Sequence, residues 1–259
     1  MKFCRTYDVL AFLIVVAKCG VAMPQDGYEG RVFSPEKGRE LKYRLMIPKD
    51  YSFSATEAYP LVLFLHGAGE RGDDNVKQLV HGTNEFAKPE NRQKYPCFVV
   101  APQCPEGKRW VEVDWNLDAH QQLEKDSVSL ELTRELLANL QKVFRIDSKR
   151  IYVTGLSMGG FGTWDLVTRT PDLFAAAAPI CAGADEALAD RVTKLPIWAF
   201  HGDKDTVVKV ERSRHMIAAI EKAGGKPRYT EYPGVGHDSW TQSYANPEFM
   251  AWLFAQKRP

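Results

Sequence analysis

A serine in a tight glycine turn, a late histidine and a carboxylate between them have the chemistry to attack a carbonyl. The serine is Ser157, in Gly155-Leu156-Ser157-Met158-Gly159. This is a G-x-S-x-G pattern, the signature of a nucleophile elbow. A hydroxyl is a weak nucleophile near neutral pH and needs a base within hydrogen-bond reach. Among the six histidines, His237 is the candidate, in the glycine-rich stretch Pro233-Gly234-Val235-Gly236-His237-Asp238. His66 and His201 each follow an apolar run and precede a glycine, and read as residues that orient their turns. His81, His120 and His215 fall in helical or polar contexts and read as solvated. A third group must hold the imidazole. Asp203 and Asp205, in His201-Gly202-Asp203-Lys204-Asp205, both qualify, and the chain order Ser, Asp, His suits a G-x-S-x-G nucleophile. The oxyanion formed on attack needs N–H donors. Met158 supplies the first, directly after the serine. The second is expected from His66-Gly67-Ala68-Gly69, with Ala68 the first choice and Gly69 the alternative.

These residues can meet only if one scaffold brings them to the same edge. Ile151-Tyr152-Val153 reads as a short buried strand entering the elbow, and the residues after it, with Trp164, Leu166 and Val167, read as a helix. Trp164 is expected in the core. Leu61 to Leu65, Phe98 to Ala101 and Ile197 to Phe200 are further continuous apolar runs, as expected of parallel strands buried on both faces. Two more strands are expected to end at Ile180 and Tyr232. Helical patterns lie between them: one opening at Val76 to Val80, one from Asp126 to Phe144, one from Glu211 to Ala223 and one from Glu248 to Gln256. The second carries Val128, Leu132, Leu136, Leu140 and Val143 on one stripe, with Asp126 or Ser127 as its cap. Before all of these, Arg31 to Phe33 and Leu41 to Met46 alternate apolar and polar around a Pro35 to Gly38 turn, as expected of an antiparallel edge with one wet face. Strands alternating with crossover helices make a mostly parallel, doubly wound α/β sheet with helices on both faces. Ligands of such sheets sit beyond the carboxyl ends of the strands, where glycine and polar residues collect in this sequence.

Residues 1–22 read separately. Lys2 and Arg5 precede the apolar run Val9 to Ala17, and Gly20-Val21-Ala22 offers small residues for cleavage. This is the layout of an export signal cleaved near Ala22, too short for a stable membrane span. It leaves residues 23–259 as a single domain. Lys and Arg total 34 against 33 acidic residues, a balance that argues against a nucleic-acid surface. No G-x-G-x-x-G follows the first buried strand, which argues against a dinucleotide cofactor, and no cysteine or histidine spacing reads as a metal site. Cys97, Cys104 and Cys181 would remain after cleavage, so at most one pair could form.

Together, Leu65 to Gly72, Ala101 to Pro105, Gly155 to Trp164, His201 to Asp205 and Gly236 to Trp240 resemble the α/β-hydrolase fold, in its prolyl-oligopeptidase-like and dienelactone-hydrolase-like group. The likeness covers residues 30–257. It extends to exported single-domain hydrolases described as predicted peptidases, and to relatives of feruloyl and acetylxylan esterases. It implies a serine hydrolase acting on carboxylic esters, such as acetyl or feruloyl esters of plant polysaccharide, through Ser157, His237 and Asp205 with no cofactor. The pattern His-Gly-x-x-Asp-x-x-Val over residues 201–208 puts the orienting carboxylate at its fifth position in many hydrolases, which favours Asp205 and leaves Asp203 to shape the loop. For a small-molecule or polysaccharide-linked ester, Trp110, Trp115 and Trp240 are candidate stacking surfaces in loops at the catalytic edge, and Glu70, Arg71 and Gln103 are candidate polar contacts. The alternatives are a serine peptidase of prolyl-oligopeptidase type and an inactive binding module on the same fold.

Overall fold

Side chains along the apolar runs divide between two faces of one sheet. The computed structural model describes residues 27–54 and 56–259, so the expected signal at residues 1–22 lies outside the described residues. The strands are β1 (Glu29–Glu36), β2 (Arg39–Met46), β3 (Tyr59–Leu65), β4 (Phe98–Pro102), β5 (Ile146–Leu156), β6 (Ala176–Ile180), β7 (Trp198–Gly202) and β8 (Arg228–Tyr232). They form one eight-stranded sheet in the order β1-β2-β4-β3-β5-β6-β7-β8. β1, β2 and β4 pair antiparallel, and every pairing from β4 through β8 is parallel. The expected α/β-hydrolase architecture with an antiparallel N-terminal edge is therefore present.

Because strand side chains alternate faces, an uninterrupted apolar run feeds two cores at once. Leu61, Leu63, Leu65, Ile151, Val153 and Ala199 join one core, and Val62, Phe64, Tyr152, Trp198 and Phe200 join the other. The first is covered by α3 (Val128–Val143), α4 (Met158–Arg169) and α5 (Glu211–Lys222); the second by α1 (Thr83–Ala87), α6 (Trp240–Ala245) and α7 (Pro247–Ala255). A short α2 (Pro89–Lys94) links α1 to β4. Full burial of one large apolar side chain contributes about 2 kcal/mol relative to exposure. Trp164, fully buried on α4, belongs to the core as expected.

Three expectations change. The helix expected to open at Val76 is a single 3-10 turn, Lys77–Leu79. The chain turns at Gly82, whose φ of 76° no helix can accommodate, before α1 begins. On α3 the buried stripe is Leu130, Leu132, Leu136, Leu137 and Leu140, while Val128 and Val143 are 62% and 46% exposed. Both lie at the helix ends, beyond the reach of the sheet. Ser127, not Asp126, is the cap, its side chain accepting the Leu130 N–H. Asp126 instead pairs with Arg134 and Arg169. Cys97, Cys104 and Cys181 are each buried and free, and no helix among the described residues is long and apolar enough to cross a membrane.

Candidate active site

The sheet order decides which loops meet. β3 lies beside β5, so the loop after β3 stands next to the turn after β5. β7 lies beside β8, so Asp205 and His237 emerge from neighbouring strands. At the end of β5 the chain reverses into α4 within one residue. Ser157 adopts φ 52° and ψ −119°, a conformation costing on the order of 1–3 kcal/mol for a residue with a Cβ. Its N–H donates to the Ile180 carbonyl of β6 at 2.9 Å. The flanking glycines are obligatory by contact: a Cβ on Gly159 would overlap the Leu65 carbonyl of β3, and one on Gly155 would overlap Gly159 itself. The turn thus holds Ser157 rigidly at the sheet edge, ahead of the α4 N-terminus.

His237 reaches Ser157 because its loop is folded over the end of β7. The Lys204 N–H donates to the Val235 carbonyl at 2.9 Å, and the Gly234 N–H donates to Asp203 Oδ1 at 2.6 Å. Asp203 therefore shapes the loop, as expected. His237 Nδ1 lies 2.7 Å from Asp205 Oδ2, and Nε2 lies 2.9 Å from Ser157 Oγ. An ionised carboxylate only accepts, so Nδ1 carries the proton and Nε2 is free to accept one from Ser157. The Asp205 side chain has no exposed surface. Burial by itself would raise its pKa. Hydrogen bonds from His201, His237 and the Val208 N–H outweigh that and hold it well below the usual carboxylate range. Asp205 thus stays ionised where the imidazole needs it.

The oxyanion donors expected at Met158 and Ala68 occupy equivalent positions. Met158 opens α4, and Ala68 opens a 3-10 turn, Ala68–Glu70. The first N–H groups of a helical turn have no partner within it. Gly69, the alternative donor, is next in the same turn. His66 sets how this loop faces. Its Nε2 accepts the Cys104 N–H at 2.9 Å, which leaves Nδ1 to donate to the Gly67 carbonyl at 2.6 Å. In a trans peptide the C=O and the next N–H point opposite ways. Drawing the Gly67 carbonyl toward His66 therefore turns the Ala68 N–H away from it. Burial lowers the His66 pKa to about 4, so this donor–acceptor pattern is undisturbed at neutral pH.

Two candidate contact residues are displaced by the structure. Trp110 is fully buried, donates from Nε1 to the His66 carbonyl at 3.0 Å and packs edge-on against the His66 ring. It packs against the His66 turn and, fully buried, offers no face to a substrate. Gln103 is 1% exposed; its side chain accepts the Asn75 N–H and donates to Asp74 and to the Glu70 carbonyl. It ties two loops together. Trp115 lies half-buried beneath the Arg109 guanidinium, 4.3 Å above its ring. Arg71 donates to the Ala68 and Lys108 carbonyls. Glu70 folds against the Gly67 backbone, with Oε1 3.7 Å from His81 Nε2. Trp240 stays beside the triad: its ring meets His237 edge-on with centroids 5.2 Å apart, and the His81 ring lies 5.4 Å from it. It begins the short helix α6 and is not in a loop. His120, expected to be solvated, instead packs on Phe161 and bonds Arg212. Burial and the Arg212 charge lower its pKa to about 4.

The role understated by the sequence is that of His201, whose Nε2 is a second partner of Asp205 Oδ2 at 3.1 Å. Its position four residues before Asp205 was the available signal. Cys181, Asp205 and His237 place ligand-type atoms within 4.8 Å of one another. Asp205 and His237 are already bonded to each other, and burial raises the Cys181 thiol pKa. A cavity of about 1090 Å³ between α1, α2 and the β3 entry is lined by Tyr28, Tyr59, Thr83 and Arg92, and not by Ser157, Asp205 or His237.

Comparison with known proteins identifies the family and agrees with the fold. The model of the Esterase family, described as "Putative esterase", matches residues 34–253. A rice (Oryza sativa subsp. japonica) protein named a probable carboxylesterase is 26% identical over 207 residues, covering 74% of this chain and 76% of its own. The bifunctional acetylxylan esterase/xylanase of Neocallimastix patriciarum is 29% identical over 154 residues, covering 59% of this chain and 20% of its own. The crystal structure of a thermostable esterase superposes with a TM-score of 0.82 at 41% identity, over 90% of this chain and 64% of that one. The chain therefore spans just under two thirds of that esterase and a fifth of the fungal enzyme. A match running from the antiparallel edge to α7, on this sheet order, shows that the chain belongs to the Esterase family of α/β-hydrolase enzymes.

Proposed function

We propose that this enzyme is a serine esterase that hydrolyses carboxylic esters through an acyl-enzyme. The observation that carries the reading is the continuous chain Ser157 Oγ, His237 Nε2, His237 Nδ1, Asp205 Oδ2, with contacts of 2.9 and 2.7 Å. Ser157 Oγ bonds to the ester carbonyl carbon while its proton passes to His237 Nε2. The oxyanion is held by the Met158 and Ala68 N–H groups, a contribution on the order of 3 kcal/mol for one such donor. The carbonyl re-forms, the C–O bond to the alcohol breaks, and His237 returns the proton to the departing alcohol. Water then repeats the sequence on the acyl-serine, giving the acid and free Ser157. No step calls on a metal or cofactor.

Acetyl or feruloyl groups on plant polysaccharide are the proposed esters. The acetylxylan esterase relative supports this choice, as does Trp240, whose ring stands against His237 where an aromatic acyl or sugar ring can pack. The test is a panel of acetyl, feruloyl and long-chain esters beside the amide of matched acyl group. Ester turnover is expected to exceed amide turnover by several orders of magnitude, with acetyl or feruloyl esters ahead; amides as good as esters would move the enzyme to the peptidases. The basic, apolar and small-residue order of residues 2–22 supports export. The N-terminal sequence of the mature protein is expected to start near Met23, and a start at Met1 would refute it.

A further inference from the structure

We infer that His201 is a positioning residue that sets the proton affinity of His237 by sharing the carboxylate oxygen of Asp205. The inference rests on the triad reading above. His201 is fully buried at the end of β7. Its Nε2 has two neighbours, Asp205 Oδ2 at 3.1 Å and the Val208 carbonyl at 3.0 Å. Both are acceptors, so Nε2 must carry a proton and donate. The charged oxygen is the stronger of the two acceptors. On the far side, His201 Nδ1 lies 2.8 Å from Ser213 Oγ, and Ser213 Oγ lies 2.8 Å from the Ala182 carbonyl. These groups stand within polar contact of one another in a line from the end of β6 through α5 and β7 to the proposed nucleophile: Ala182, Ser213, His201, Asp205, His237, Ser157.

Asp205 divides its two oxygens by task. Oδ1 accepts the Val207 and Val208 N–H groups at 2.8 and 2.9 Å, which fixes the carboxylate in its loop. Oδ2 serves both imidazoles. A donor on Oδ2 withdraws charge from that oxygen, so its attraction for a proton on His237 is weakened. With His201 in place, Asp205 orients His237 without over-stabilising its cation, and His237 remains a base that gives its proton up to the leaving alcohol. Removing the His201 donor restores full charge to Oδ2, favours the His237 cation and shifts loss of the neutral base to higher pH. The other titratable groups around the pair are the Cys181 thiol at the end of β6, Asp238 beside His237, Asp203 in the β7 loop, and Glu231 on β8, which is paired with Arg214. All of them remain in the variants below.

The test compares the parent with His201→Leu, His201→Gln and Ser213→Ala, after thermal unfolding has shown that each is folded. kcat, KM and the pH profile of kcat/KM are measured, alongside the rate of fluorophosphonate labelling of Ser157. Leucine fills the site without a donor. It is expected to lower kcat about ten- to a hundredfold, the usual effect of losing a hydrogen bond to a charged group, with KM nearly constant. The acid limb of kcat/KM is expected to move up by roughly half a unit or more. Glutamine carries an N–H near the Nε2 position and should return the limb toward the parent. Ser213→Ala should move the limb the same way by less, and it carries the test if His201→Leu does not fold. A purely structural role would lower kcat or stability and leave the limb in place. A limb that stays put, or moves down, in folded His201→Leu or Ser213→Ala beside an active, labelled parent overturns the positioning role alone. A parent that neither labels nor hydrolyses overturns the triad and this role with it.

Discussion

Ser157→Ala is expected to lower kcat/KM for an activated ester such as p-nitrophenyl acetate by about 10⁴-fold or more, while the protein keeps its fold. The loss is that large because the hydroxyl bonded to His237 Nε2 is Ser157 Oγ, at 2.9 Å. Stability should change by only about 1 kcal/mol, the scale of the one hydrogen bond removed, because alanine keeps the Cβ and the strained φ of 52°. Ser157→Gly separates chemistry from folding further. Glycine adopts positive φ without steric cost, so this variant is expected to be equally inactive yet to melt higher than Ser157→Ala. Retained turnover in either variant would remove Ser157 as the nucleophile. A lower melting point for the glycine variant would contradict the strain at this position.

Asp205→Asn is expected to cost about 10⁴-fold in kcat, and Asp203→Asn no more than a few-fold. Asparagine can still turn its carbonyl toward the Val207 and Val208 N–H groups that Asp205 Oδ1 accepts. Its amide then faces His237 Nδ1–H and His201 Nε2–H, donor against donor. The imidazole of His237 escapes by moving its proton to Nε2, and in that tautomer it cannot accept from Ser157. The reverse amide orientation leaves the two loop N–H groups unpaired instead, at about 1–3 kcal/mol of stability. Asp203 presents only an acceptor to the Gly234 N–H, which an asparagine carbonyl replaces. Steady-state kinetics on the two variants decide the matter: the opposite ranking would transfer the orienting role to Asp203.

The parts of the site that were legible in the sequence are those set by local chain geometry. G-x-S-x-G after a β-branched run dictates a reversal only glycine-flanked residues can make, and Gly155 and Gly159 are pressed on backbone where a Cβ would collide. Continuous apolar runs at β3, β4, β5 and β7 announced strands buried on both faces, and the parallel order followed from the helices between them. His237 and Asp205 were legible because each ends a strand with glycine nearby, at the edge where parallel strands open.

What failed were expectations about which side chains some loops expose. Trp110 and Gln103 lie in loops, and both are buried because those loops fold back on the His66 turn and on Asn75. His120 is sequestered by Arg212 and Phe161, from elements some 40 and 90 residues further along the chain. Val128 and Val143 fit the helical period, yet lie past the ends of the surface that α3 covers. Periodicity reports the face of an element and not how far its partner extends.

By itself, the sequence determined the order of the strands, the serine turn at Ser157, and the loops from which Asp205 and His237 come, because each depends on contacts between near neighbours in the chain. The tertiary structure alone decided that Asp205 Oδ2 serves two histidines, that His66 ties down the loop after β3, and that Trp240 is an aromatic surface beside His237. Those outcomes depend on where β7, β8 and the β3 loop come to rest on one another, and hydrogen-bond direction and burial are properties of that packing.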